Sequence, residues 1–279
     1  PELEKQPRNL FFIRPRRFGK SIFLSMLYSY YDCTQSHKFQ SLFGNLWIGQ
    51  HPTPLQGKYQ VLFLDFSQIT GNIDKLGTKF NSYLSINLDA FVRQYSEYYQ
   101  AEMEEILAQE DFEEKMELIF KAAKAHLYHL YLIIDEYDNF TNVILNERGE
   151  NVYHAITHAD GFYRDVFKKF KGNFERIFMM GVSPVTLDDV TSGYNVGWNI
   201  SVKSEFDEML GFSTKDVVEM FTYYKEMGSI PADSDVEAIV NDMKPWYDNY
   251  CFAEEALNKS VRMFNCDMVL YYLQIGRAH

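Results

Sequence analysis

Leu10-Phe-Phe-Ile-Arg-Pro-Arg-Arg-Phe-Gly-Lys-Ser21 is the stretch on which the fold of this chain turns. Leu10–Ile13 is a short apolar run of strand type, and Lys20–Tyr31 carries Ile22, Phe23, Leu24, Met26 and Leu27, the pattern of a largely buried helix. Gly19-Lys20-Ser21 thus sits where a strand gives way to a helix, which is the setting a phosphate loop needs. Amides at a helix start surround phosphate oxygens, and the helix dipole favours negative charge there. In such a loop Lys20 reaches the β- and γ-phosphates and the Ser21 hydroxyl binds Mg²⁺, while Arg16, Arg17, Phe18, Gly19, Lys20, Ser21 and Ile22 line the nucleotide. The usual first glycine of the motif is replaced by Arg14. A bare Gly-Lys-Ser or Gly-Lys-Thr arises by chance about 0.1–0.2 times in a chain of this length, so the string alone decides little. The competing reading is an ordinary strand-to-helix turn with basic residues facing solvent.

Tyr131-Leu-Ile-Ile-Asp-Glu136 supplies the second half of the pattern. An apolar strand delivers two carboxylates to its C-terminal end, where ligands bind in open α/β sheets. Asp135 is expected to hold Mg²⁺ through its water shell, and Glu136 to orient and deprotonate the attacking water. The competing reading is a strand followed by a solvated acidic turn. Both motifs in the right order, on the right elements, favour the phosphate-loop reading. Ser183 follows the apolar run Arg176–Val182 and is the candidate for a polar strand-end residue contacting the γ-phosphate or the water, with a Ser-Pro turn as its alternative. Asp65 ends a further strand, where capping the next turn is the simpler role. Arg16 and Arg17 either add charge toward the nucleotide or pair with surface acids such as Asp138, and neither reads as an arginine finger.

Working outward, Val61–Phe66, Tyr131–Ile134 and Arg176–Val182 are apolar runs of the kind seen in strands buried on both faces, and Asn199–Val202 reads as a fifth strand. Helical spacing spans Asn72–Gln100, Ala101–His129 and Val152–Phe170. Strands alternating with helices predict an α/β, three-layer α/β/α fold of the P-loop NTPase type with a mainly parallel five-stranded sheet. After Ser204 the pattern becomes helical, with Thr214–Met227 opened by a cap at Ser213 or Thr214, then Val236–Met243 and Cys266–Gln274. The expected organisation is a core over 1–205 and a small helical domain over 206–274, for which a winged-helix-like form is one option. The opening at Pro1 reads as a truncation, and residues 275–279 as a non-native tail.

Of 279 residues, 46% are hydrophobic and 24% charged, which excludes wholesale disorder. With 27 basic and 39 acidic residues the net charge is −12, which argues against a general nucleic-acid coat or a membrane-surface binder. Cys33, Cys251 and Cys266 are far apart and form no zinc or disulfide pattern, as suits a reducing, cytoplasmic setting. His126 and His129 have a spacing that allows a metal pair, but no third ligand accompanies them, and packing or exposure explains them more simply.

Several blocks together resemble the AAA-ATPase-like family, whose members usually carry a PD-(D/E)XK nuclease-like domain at the C-terminus. They are RPRRFGKS at 14–21, LDFS at 64–67, IDEYDN at 134–139, GVSPVTLDDVTSGYN at 181–195, LGFS at 210–213 and WYDNYCF at 246–252. The resemblance makes the missing first glycine a family trait. It implies binding of ATP with Mg²⁺ and hydrolysis, with Lys20 and Ser21 on phosphate and metal and Asp135 and Glu136 on metal and water. It further implies an ATP cycle that moves the helical domain and acts on a protein partner or an attached nuclease-like domain. No nuclease constellation can be placed after residue 210, so nucleic acid enters only through a longer protein. The rival functions are a nucleotide-dependent switch with little turnover and a DNA-associated protein reading through its helical tail. The basic residues after 204 are too few to favour the latter.

Overall fold

The computed structural model describes residues 1–69, 75–139, 162–183, 197–258 and 262–275. Its main sheet has five strands: β1 (Asn9–Ile13), β2 (Gln60–Asp65), β3 (Leu130–Asp135), β4 (Arg176–Gly181) and β5 (Trp198–Asn199), in the order β2-β3-β4-β1-β5. The pairs β2–β3, β3–β4 and β4–β1 are parallel. Side chains alternate across each strand, and both faces are covered. Leu62, Leu64, Leu132, Ile134, Ile177 and Met179 join one core with helices α4 (Leu76–Gln94), α5 (Met103–Ala108), α6 (Phe112–His126) and α7 (Phe162–Asn173). On the opposite face α1 (Lys20–Tyr31) lays Tyr31 5.2 Å from Tyr131 and Tyr28 6.4 Å from Phe63. The expected three-layer α/β/α fold is therefore present.

Boundaries differ from the periodicity in physically readable ways. The stretch expected as one helix over 101–129 is two, because Asp111 accepts from the amides of Glu113 at 2.7 Å and Glu114 at 3.4 Å and starts α6 afresh. Phe91, Tyr95 and Tyr99 are buried, although α4 itself ends at Gln94. Short helices α2 (Phe39–Phe43) and α3 (Trp47–Gln50) were not legible in the pattern. Of the helix expected over 152–170, residues 152–161 lie outside the described residues.

The open edge of β2 is closed by tyrosines. The Tyr95 hydroxyl accepts from the Val61 amide at 2.7 Å, and the Tyr83 hydroxyl accepts from the Asp65 amide at 2.7 Å. Tyr95 also donates to the carboxylate of Asp32, which is fully buried and accepts from the Thr34 amide at 2.7 Å and its hydroxyl at 2.6 Å. Burial, with the Asp32 charge beside it, pushes the Tyr95 phenol well above its ordinary range, so it stays a donor. Tyr95→Phe removes the acceptor of a strand amide and one donor to the buried Asp32 carboxylate, which keeps Gln94 at 3.3 Å. It is expected to lower the unfolding free energy by about 2–3 kcal/mol, read from urea titration.

The chain forms two compact units. The first is Pro1–Ile13 with Leu24–Trp198. The second is Asn199–His279 together with Arg14–Phe23, a segment that the sequence pattern had placed with the core. In the second unit α8 (Thr214–Glu226), α9 (Val236–Tyr247) and α10 (Cys266–Ile275) accompany a three-stranded antiparallel sheet, β6 (Phe212–Ser213), β8 (Met263–Phe264) and β7 (Asp248–Tyr250) in that order. Ser213 caps α8 as expected, in a reciprocal box with Asp216. Val217, Phe221, Val240, Met243, Phe264 and Val269 form the centre of this unit's core. The three short strands lacked a sequence signature because two of them are only two residues long.

Candidate functional site

Because β1 to β4 are parallel neighbours, their C-terminal ends share one edge of the sheet. Asp65 and Asp135 end β2 and β3 at paired positions, Gly181 ends β4, and Ile13 ends β1, from which the chain enters the Gly-Lys-Ser loop. β4 lies between β3 and β1. The strand carrying the two acids is therefore one strand removed from the strand that leads into the loop.

Asp135 is buried, and its Oδ1 accepts from the Glu136 amide at 2.9 Å. That bond accompanies a backbone reversal, since Glu136 has φ +50°, a left-handed conformation that costs a non-glycine residue of the order of 1 kcal/mol. Glu136 is only partly buried. Asp65 caps the following turn, accepting from the Ser67 amide at 2.9 Å and the Gln68 side chain at 3.3 Å.

Asp138 is a correction. Taken from the sequence as a surface partner for Arg16 or Arg17, it is buried and accepts from the Val182 amide at 3.2 Å and the Ser183 amide at 2.6 Å. Tyr137, fully buried, donates its hydroxyl to the Ser183 carbonyl at 2.7 Å, and its amide donates to the Met180 carbonyl at 3.2 Å. Tyr163 donates in turn to the Tyr137 carbonyl. These bonds tie the loop after β3 to the end of β4 and fix the backbone at Ser183, the strand-end candidate. The only sequence signal for them was a third acid, three residues after Asp135.

This tie needs a glycine at 181. A Cβ there would stand 2.4 Å from Asp138 Oδ1 and 2.6 Å from Tyr137 Cε1. Gly181→Ala is expected to cost about 1–3 kcal/mol of stability by overpacking, read as a lowered urea midpoint.

The loop of the second unit is built differently from a glycine-rich one. Arg17 has φ +71° and Gly19 φ +84°, so left-handed residues punctuate the approach to α1. Such alternation turns successive amides inward as an anion-binding concavity. The space over Gly19 is open, since a Cβ there would meet nothing within 4 Å. The first intrahelical bond of α1 is Phe23 N–H to the Gly19 carbonyl at 3.1 Å, so the amides of Lys20, Ser21 and Ile22 lie ahead of the helix's own ladder. No acidic residue occupies the first turn of α1. The buried Lys20 ammonium donates to the Pro15 carbonyl at 3.3 Å, across its own loop. Ser21 is exposed, as is the Ile22 side chain at 71%.

The other loop residues are braced within the second unit. Arg17 pairs with Asp267 at 3.2 Å, with both partners exposed, and Arg16 is exposed while its carbonyl accepts from Asn265 at 3.1 Å. Phe18 is buried against Tyr250 and Phe252. Arg14, standing where the first glycine is usual, is buried, and its guanidinium donates to the carbonyls of Ser201 at 2.9 Å, Phe206 at 2.7 Å and Asp207 at 3.4 Å. Burial pushes Arg14 down to about 9, opposed by the Asp207 charge, which leaves it protonated at neutral pH.

Thus Asp135, Glu136 and Ser183 are brought to one sheet edge of the first unit, and Lys20, Ser21 and the loop belong to the second. A family model described as predicted AAA-ATPase, AAA-ATPase-like, matches residues 1–191, more than half of the chain. The chain belongs to the AAA-ATPase-like family. The match spans the Gly-Lys-Ser loop, the Asp135–Glu136 pair and Ser183, and stops short of the helices of the second unit. No curated protein matches the chain. Among the described residues, no group of three or more His, Cys, Asp or Glu side chains is arranged to hold a metal by itself. His126 and His129 instead pair with Glu102 at 2.9 Å and Glu175 at 2.5 Å. No described helix is long and apolar enough to cross a membrane. Of the block 181–195, residues 184–195 lie outside the described residues.

Proposed function

We propose that this member of the AAA-ATPase-like family binds ATP with Mg²⁺ and hydrolyses it. The observation that carries the reading is the order β3-β4-β1: the two-carboxylate strand end lies one strand from the strand that runs into Gly19-Lys20-Ser21 at the start of α1. The loop amides and the Lys20 ammonium are the donors for the phosphates. Ser21 and Asp135 are the metal residues, a donor set that suits Mg²⁺, which keeps several waters and needs few protein ligands. When bound, the ion neutralises the charge developing on the phosphate oxygens. Glu136 orients the attacking water and takes its proton at the carboxylate. Ser183, fixed through its backbone by Asp138 and Tyr137, offers a hydroxyl to the γ-phosphate or the water. Family membership supports a cycle that acts on a protein partner or an attached domain.

The test is equilibrium binding of ATP and release of phosphate by the purified chain, with and without Mg²⁺. Release that requires Mg²⁺ is the expected result. Tight binding without release would leave a nucleotide switch, and absence of binding would remove the nucleotide reading for this chain.

A further inference from the structure

A phosphate loop normally has a glycine at its first position so that backbone and ligand can approach closely. Here Arg14 takes that position, and its guanidinium is spent inside the second unit, on carbonyls up to 193 residues away in sequence. Its central carbon lies 3.9 Å over the centre of the Phe252 ring. Asp207, one of the residues it bonds, accepts through its carboxylate from the amides of Phe252 at 2.7 Å and Ala253 at 2.8 Å. Arg14 therefore sits at the junction of two chain segments, Ser201–Asp207 and Tyr250–Ala253, that are bonded to each other around it.

The rest of the loop is gripped in the same unit. Phe18 is caged edge-on by Tyr250 at 4.8 Å and Phe252 at 5.7 Å, and a side chain at Gly211 would meet the Phe18 ring at 3.1 Å. The Arg16 carbonyl accepts from Asn265 at 3.1 Å and the Arg17 carbonyl from the Asp267 amide at 3.4 Å. Residues 14, 16, 17 and 18 are each held by residues beyond 200. The peptide groups that set phosphate affinity cannot turn without disturbing these bonds.

We infer that Arg14 is a positioning residue that couples nucleotide occupancy of the loop to the conformation of Ser201–Asp207 and Tyr250–Ala253. These two segments are the element through which the bound nucleotide is sensed. The inference rests on the ATP-binding reading. Coupling is reciprocal, so whatever fixes these segments also sets ATP affinity. A guanidinium suits the role because its rigid fork serves several carbonyls at once, which a lysine ammonium at the same place cannot reproduce.

The test is hydrogen exchange by mass spectrometry on the full chain, with and without a non-hydrolysable ATP analogue and Mg²⁺, with binding measured on the same samples. In wild type, exchange at 201–207 and 250–253 is expected to slow several-fold on binding. Arg14→Met keeps bulk over Phe252 and loses every donor. It is expected to raise the Kd for the analogue about tenfold and to abolish the exchange response, whereas Arg14→Lys restores part of both. Binding by wild type with unchanged exchange in the two segments overturns the coupling while leaving the ATP reading intact. So does an Arg14→Met protein with wild-type affinity and response. Absence of binding by wild type removes the ATP reading and the inference with it. Should Arg14→Met fail to fold, the wild-type exchange result decides alone.

Discussion

Glu136→Gln is expected to reduce Mg²⁺-dependent ATP turnover by about 10²–10⁴-fold while leaving the Kd for ATP within a few-fold of wild type. The substitution keeps the size of the side chain and removes its capacity to take a proton. The backbone bonds of Glu136 do not involve its carboxylate. In the reversal after β3 the Glu136 amide donates to the Asp135 carboxylate and the Glu136 carbonyl accepts from the Asn139 amide, each at 2.9 Å. Thermal unfolding should therefore be near that of wild type, which separates loss of chemistry from loss of fold. The left-handed backbone at Glu136 makes the same point from the opposite side. A glycine would occupy that conformation without strain, yet the chain carries a glutamate there. Turnover by Glu136→Gln within tenfold of wild type would sink its assignment as the base.

Lys20→Ala is expected to weaken ATP binding by about 100-fold or more and to remove turnover, the reverse of the pattern for Glu136→Gln. Charge-assisted bonds from a buried ammonium to phosphate are among the strongest polar contacts available. In the structure the ammonium is already buried, with the Pro15 carbonyl among its partners. Losing the bond to the Pro15 carbonyl alone costs the fold about 1 kcal/mol. Isothermal titration of ATP, paired with a melting curve, checks both parts. An unchanged Kd would mean that the loop does not hold the phosphates.

Much of the first unit was legible because its strands announce themselves. Six-residue runs such as Leu130–Asp135 are buried throughout, and a strand buried on both faces is nearly continuous in apolar character. Helix α1 was legible as a helix, although it is not largely buried as its apolar content suggests, since Ile22 is 71% and Met26 42% exposed, and the start of α8 was legible from its capping serine. The acids at 135 and 136 were readable as a pair because the apolar run stops at them. What Asp138 does was not readable, because an acid in a polar turn looks the same in sequence whether it is solvated or buried. Its burial comes from the amides of Val182 and Ser183, brought to it by the parallel pairing of β3 with β4.

Sequence alone settled the α/β class, the places of the two motifs and their order along the chain, since these follow from local periodicity and from chemistry carried by adjacent residues. Tertiary structure decided the strand order that sets β4 between β3 and β1, the tyrosine hydroxyls that close the edge of β2, and the role of Arg14. An arginine before a proline in a basic stretch reads as solvated charge. It becomes a buried joint only when carbonyls from residues 201–207 converge on it, and hydrogen bonds across such a separation leave no period in the sequence.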